Sequence, residues 1–131
     1  MELVSVIVAA VASFAFGAVW YMVLGDRWMA AAGVAKGEDG RPANAADKST
    51  YIIALICALI VAGMMRHIFG LSGIDGAVKG LVAGFGIGAF LATPWLVTNY
   101  TFADKPSDLK WIDGGYATFG CTVMGLVLGI L

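Results

Sequence analysis

Four long apolar stretches, separated by polar segments that hold most of the charge, set the pattern of this chain. Leu3 to Gly25 has no charged residue, and Tyr51 to Gly70 is apolar until Arg66 and His67 near its end. Ala77 to Tyr100 carries Lys79 at its entry, and Trp111 to Leu131 carries Asp113 near its own. A helix rises about 1.5 Å per residue, so about 20 apolar residues cross the roughly 30 Å hydrocarbon core of a bilayer. Each stretch meets that length. The pattern predicts an all-α chain with one membrane domain over residues 1–131. Its spans fall at about 3–25, 50–70, 77–100 and 111–131, packed as a four-helix bundle.

The first span differs from a secretory signal, which has a basic start and a short apolar core. Here only Glu2 precedes the apolar run, and the run closes on Trp20 and Tyr21. The connections are unequal. Residues 26–49 are polar, and Gly37 to Pro42 reads as a mobile turn. Before that turn, Asp26 to Ala32 could form a short interfacial helix, capped by Asp26 and with Trp28 turned toward lipid. After it, Asn44 to Asp47 resembles a capping arrangement, so the second helix is expected to start before the bilayer does. Leu71 to Gly76 is short, which predicts that spans two and three are antiparallel neighbours. Pro106-Ser107 is a start signal for the fourth helix.

Composition changes the picture by excluding alternatives. The chain is 60% hydrophobic and 13% charged, with a mean hydropathy of +0.88. Soluble domains carry about 45–50% apolar and about 25% charged residues, so this chain is too apolar to sit in water. A net charge of -1 leaves no cluster of cations for a nucleic-acid partner. What charge there is has been sorted. Arg27, Lys36, Arg41, Lys48, Lys105 and Lys110 lie on the side of the first and third connections, whereas Arg66 and Lys79 lie on the other. The positive-inside bias then places the loop 26–49 in the cytoplasm and both termini outside.

All four Trp and all four Tyr lie toward the same basic side. An interfacial belt accounts for this, because amphipathic rings favour the headgroup level. Depth adds a second reading: Trp20, Trp95 and Tyr116 sit about five residues, or roughly 7 Å, inside their span ends. With Tyr21, Asn99, Tyr100 and Asp113 they form the candidate ligand-binding set, a cavity open to the cytoplasmic side.

Between helices in lipid there is no hydrophobic driving force, so small residues that let backbones approach must supply the packing. Gly76, Gly80, Gly84 and Gly88 fall at every fourth position of the third span, continued by Ala92. Matching stripes are Ser5, Ala9, Ser13 and Gly17 in the first span, and Ala54, Ala58 and Ala62 in the second. The fourth span offers Ala117, Cys121, Gly125 and Gly129. This GxxxG-type pattern predicts a compact bundle, with a spare face for a second copy or a partner. Pro94 removes a backbone donor to the Phe90 carbonyl, so a bend eased by Thr93 is expected there.

Candidate chemistry is sparse. Arg66, His67, Lys79 and Asp113 are the ionisable groups inside spans, all near an end, where Arg66 and Lys79 can snorkel to headgroups. Asp113 stands out, because Lys110, Asn99, Tyr100 and Tyr116 fall near it if spans three and four pair. A structural clamp weighs more than a proton relay in that position. The sequence holds no HExxH, CxxC, GxSxG or P-loop pattern. No metal site, cofactor or catalytic residue is assigned, and Cys57 and Cys121 read as packing residues.

The string Gly17-Ala-Val-Trp20-Tyr21, followed by Gly25-Asp-Arg-Trp28-Met29, resembles the start of the domain of unknown function 1761 family. Thr98-Asn99-Tyr100-Thr-Phe102, Lys105-Pro106 and Gly115-Tyr116 extend the likeness over nearly the whole chain. The resemblance implies a small four-span bacterial membrane protein and brings no settled activity. It also implies a polar, often uncharged residue where Asp113 stands. The reading is thus a multi-pass protein of the bacterial inner membrane, structural or accessory in role, with no enzymatic constellation in its residues. It would pack with lipids, with itself or with a larger membrane complex. The alternatives are a small channel or transporter, and a binder of a lipid or quinone-like ligand in the aromatic layer, or an enzyme acting on one.

Overall fold

A computed structural model describes residues 2–131 and contains four long helices. Helix α1 is Glu2–Ala32, α2 is Lys48–Ser72, α3 is Ala77–Phe102 and α4 is Ser107–Ile130. Three of them, α1, α2 and α3, are long and apolar enough to cross a membrane, with mean hydropathies of 2.3, 2.3 and 1.7. Helix α4 has 24 residues but is not among them. Five glycines and the charged Asp108, Lys110 and Asp113 lower its hydropathy.

Helix ends follow local chemistry. Gly33 and Gly73 adopt left-handed φ of 72° and 66°, a conformation that costs glycine nothing. Each closes its helix with a bond back over five residues, Val34 N–H to the Met29 carbonyl and Ile74 N–H to the Phe69 carbonyl. Asp47 caps α2 by accepting from the Ser49 N–H at 3.0 Å and the Ser49 hydroxyl at 2.7 Å. Those two bonds favour the carboxylate and hold Asp47 below the usual carboxylate range. The loop before it is folded back on itself, with Lys36 bridging Pro42 and Ala43 N–H bonding the Ala35 carbonyl.

Two local expectations are corrected. No separate interfacial helix starts at Asp26, because α1 runs unbroken to Ala32, and Asp26 instead pairs with Lys36 at 3.0 Å. Nothing in Gly25-Asp-Arg-Trp breaks the helical hydrogen bonding, so the first helix simply outlasts the apolar run. The irregularity near Pro94 takes a defined form. Gly88–Ala92 is a single π turn, in which Thr93 N–H reaches the Gly88 carbonyl, and Pro94 follows within the next turn. The Thr93 hydroxyl is spent elsewhere, on α4.

The helices stand in the order α2, α1, α4, α3. Although only four residues join α2 to α3, the two make at most a marginal contact, so the expected pairing of spans two and three is replaced by two pairings with other helices. Backbone approach decides this. The faces of α3 and α4 meet antiparallel through small residues: Gly80 against Gly125, Gly84 against Cys121 and Gly88 against Ala117 and Thr118. A Cβ on Gly84 would sit 3.0 Å from the Gly125 Cα, and one on Gly80 2.9 Å from the Gly129 Cα. At the end of this seam the Gly76 N–H donates across to the Gly129 carbonyl at 3.0 Å. Gly76 also turns the chain into α3 with a φ of 97°.

On its other side α4 meets α1, also antiparallel, with Gly17 against the Tyr116 ring and Gly120 against the Ser13 hydroxyl. Below that layer lies the core: Ala9, Ala10, Ala58, Ala62, Met65, Phe69, Cys121, Met124 and Leu128. Arg66 donates at 2.9 Å to the Leu128 carbonyl, tying α2 to the end of α4. That carbonyl is among the last four of α4, which have no partner within the helix and attract a cation.

Candidate functional site

The side chains that converge are near the start of α4, where Asp113 faces both flanking helices. Tyr21 of α1 donates its hydroxyl to Asp113 Oδ1 at 2.6 Å, and Trp28 Nε1 of α1 donates to the same oxygen at 3.1 Å. Tyr100, in the last turn of α3, donates to Oδ2 at 2.6 Å. Tyr21 and Trp28 are seven residues apart, two helical turns, so they share a face. A carboxylate is acceptor-only and its bonds to donors are the stronger class. One group thereby ties three helices together with three bonds. Among the described residues no cation lies within ion-pair distance of it, since the two ion pairs are Arg27–Asp108 and Lys36–Asp26. Lys110, expected beside Asp113, is in neither.

Around this carboxylate the aromatic rings pack on one another. Tyr21 meets Trp28 at 5.9 Å and Tyr116 at 5.4 Å between centroids, both edge-on, the arrangement ring quadrupoles favour. Phe16 lies against Trp20 and Tyr116, and Phe119 lies against Trp20. Glycines make these seats. Trp20 Cζ2 lies 2.5 Å from where a Gly115 Cβ would be, and the ring's N–H donates to the Ile112 carbonyl at 2.9 Å. The Tyr116 hydroxyl donates to the Ser13 carbonyl at 3.3 Å. One turn deeper, Thr93 Oγ1 donates to the Gly114 carbonyl at 3.0 Å and lies 2.9 Å from Thr118 Oγ1.

The sequence-derived set is divided by the fold. Tyr21, Tyr100 and Asp113 are bonded together, Tyr116 joins through its ring, and Trp20 lies beside them on the Ile112 carbonyl. Trp95 is 67% exposed on the outside of α3, and Asn99 is exposed as well. Trp28 is the member that sequence reasoning misses. Expected to face lipid, it is half-buried with its N–H on Asp113, because α1 carries the Tyr21 face on for two more turns. The seven-residue spacing from Tyr21 was the available signal. Thr93 and Thr118 had none comparable.

Chemically the arrangement is a clamp: three donors meet two carboxylate oxygens, with rings closing over them. The Trp20 seat gives a direct check. Gly115→Ala should push the indole off α4 and break its bond to the Ile112 carbonyl, costing about 1–3 kcal/mol as an overpacked site does. The unfolding midpoint in detergent and Trp emission measure it; a wild-type midpoint and spectrum would count against a tight seat.

Comparison with known proteins adds one match. The family model described as protein of unknown function (DUF1761) matches residues 4–129. No curated protein and no solved structure matches the chain.

Proposed function

The chain belongs to the family described as protein of unknown function (DUF1761), and on that premise we propose a four-span inner-membrane protein whose role is structural or accessory, assembling with copies of itself or with a larger membrane complex. The observation that carries this reading is the closed state of the Asp113 cluster. Its polar groups are spent on one another across three helices, as suits a part that holds a shape. In this reading α4 is the fourth span, lodged between α1 and α3, and the glycine seam of α3 and α4 is a GxxxG-type membrane contact.

An assembly role draws support from α2. From Lys48 to Cys57 every residue but Leu55 is exposed, so the basic-side half of that helix is little covered within the chain. Isolated helices in lipid gain most from partners that offer close packing. The proposed orientation puts the loop 26–49 in the cytoplasm and both termini on the opposite side, following the basic residues.

Native mass spectrometry of the gently extracted protein tests the assembly. The expected result is a defined oligomer or a complex with a second membrane protein; a bare monomer at membrane-like protein density would overturn the reading. A cytoplasmic-type reporter fused after Leu131 should be inactive, and an active one would reverse the topology.

A further inference from the structure

Where α1 leaves the aromatic cluster it forms a groove with the first turns of α4, about 220 Å³ in volume and lined by Trp20, Leu24, Arg27, Asp108, Trp111 and Ile112. Its upper rim is an ion pair, Arg27 Nη2 to Asp108 Oδ1 at 3.2 Å. The Trp20 and Trp111 rings and the aliphatic Leu24 and Ile112 line the rest of it. Below the rim, the partly open Phe119 continues the apolar path from Trp20 toward the middle of the bundle. A charged rim over rings and aliphatic side chains offers the same succession, charged then apolar, as a lipid headgroup and the chains beneath it.

We propose that this groove binds one zwitterionic glycerophospholipid with a primary ammonium headgroup, of the phosphatidylethanolamine type. Charge complementarity selects it. The guanidinium of Arg27 takes the phosphate, for which its planar fork is suited, while the carboxylate of Asp108 takes the ammonium. The headgroup dipole thus lies head-to-tail with the protein's own ion pair, and every charge keeps an opposite neighbour. An anionic lipid would leave Asp108 facing a net negative headgroup. A choline headgroup offers Asp108 no N–H to accept from.

The fold does not need this pair for its own stability. Its side chains are 67% and 51% exposed, and exposed pairs contribute about 0–1 kcal/mol. The Trp20 N–H is already used on Ile112, so that ring offers the groove apolar surface and no donor. Trp111 is 79% exposed, and its indole N–H has no hydrogen-bond partner among the described residues, leaving a donor free beside the groove. The groove shares the Trp20 ring with the aromatic cluster but none of the groups bonded to Asp113, and it does not depend on the assembly proposed above.

The test is a headgroup competition on the full chain in mild detergent, with phosphatidylethanolamine, phosphatidylcholine and phosphatidylglycerol of identical acyl chains, read as retained lipid in native mass spectrometry. One phosphatidylethanolamine should be held about tenfold more strongly than either competitor. Equal retention of all three overturns the proposal. Arg27→Gln should abolish the preference. Asp108→Asn should invert it toward phosphatidylglycerol, because an unopposed Arg27 then favours net negative charge. If either variant keeps the wild-type order of preference, the assignment of headgroup partners is wrong. Both side chains are exposed, so unchanged unfolding midpoints are expected alongside.

Discussion

Asp113→Ala should destabilise the folded chain by about 2–4 kcal/mol, read as a lower midpoint in an SDS titration from mild detergent micelles. The substitution leaves three donors without an acceptor: the Tyr21 and Tyr100 hydroxyls and the Trp28 indole N–H. Hydrogen bonds between membrane helices are worth about 0.6–2 kcal/mol each, and three of them act on one group. Their loss also unties α1 and α3 from α4 at the same level. Asp113→Asn separates hydrogen bonding from charge. Its carbonyl oxygen can still accept from Tyr21 and Trp28, while its amide can donate to the Tyr100 oxygen. That variant should stay within about 1 kcal/mol of wild type. If alanine and wild type unfold at the same midpoint, Asp113 is not a clamp. If asparagine is as damaging as alanine, the negative charge matters in its own right and a proton-handling role regains ground.

Gly84→Leu should remove α3 from α4 altogether. A side chain at Gly84 would meet the Cys121 carbonyl and the Gly125 Cα, which are main-chain atoms that cannot swing aside. Nor can α4 retreat, because α1 packs on its other flank and Cys121 belongs to the buried core. Overpacked interiors cost about 1–3 kcal/mol where side chains can adjust, and a contact between two backbones should exceed that range. Gly86 provides the control on the same helix. A Cβ there meets nothing within 4 Å, so Gly86→Leu should fold with a wild-type midpoint and size-exclusion profile. Two leucines of identical bulk, two residues apart, should therefore give opposite outcomes. Similar behaviour of the two variants would sink the seam.

Some of the candidate site is legible in the sequence. Asp113 drew attention as the one carboxylate within the apolar stretches, and Tyr21 and Tyr100 by lying at its depth. Trp95 rests on depth and Asn99 on the pairing of spans three and four, and neither fixes the rotation of a residue about its helix. Asn99 is rotated about 100° from Tyr100 around α3, which takes it off the face that meets α4. Trp28 was lost for the opposite reason. Counted as part of a separate surface helix, it could not share a face with Tyr21, although an unbroken α1 places the two in line.

What the sequence determined by itself was local. The lengths of the apolar runs set helices long enough for a bilayer, Asp47 and Gly73 set the bounds of α2, and the four-residue spacing of glycines gave α3 one smooth face. These depend on residues within a turn or two of one another. The order α2, α1, α4, α3 was decided only by the tertiary structure, and it puts the last helix at the centre. Every helix carries a small-residue stripe, so spacing alone cannot say which stripes meet. Contact between two such faces depends on how both fit at once. The same holds for the clamp: Tyr21 and Asp113 are 92 residues apart, and a bond over that distance exists only because α1 and α4 have already packed.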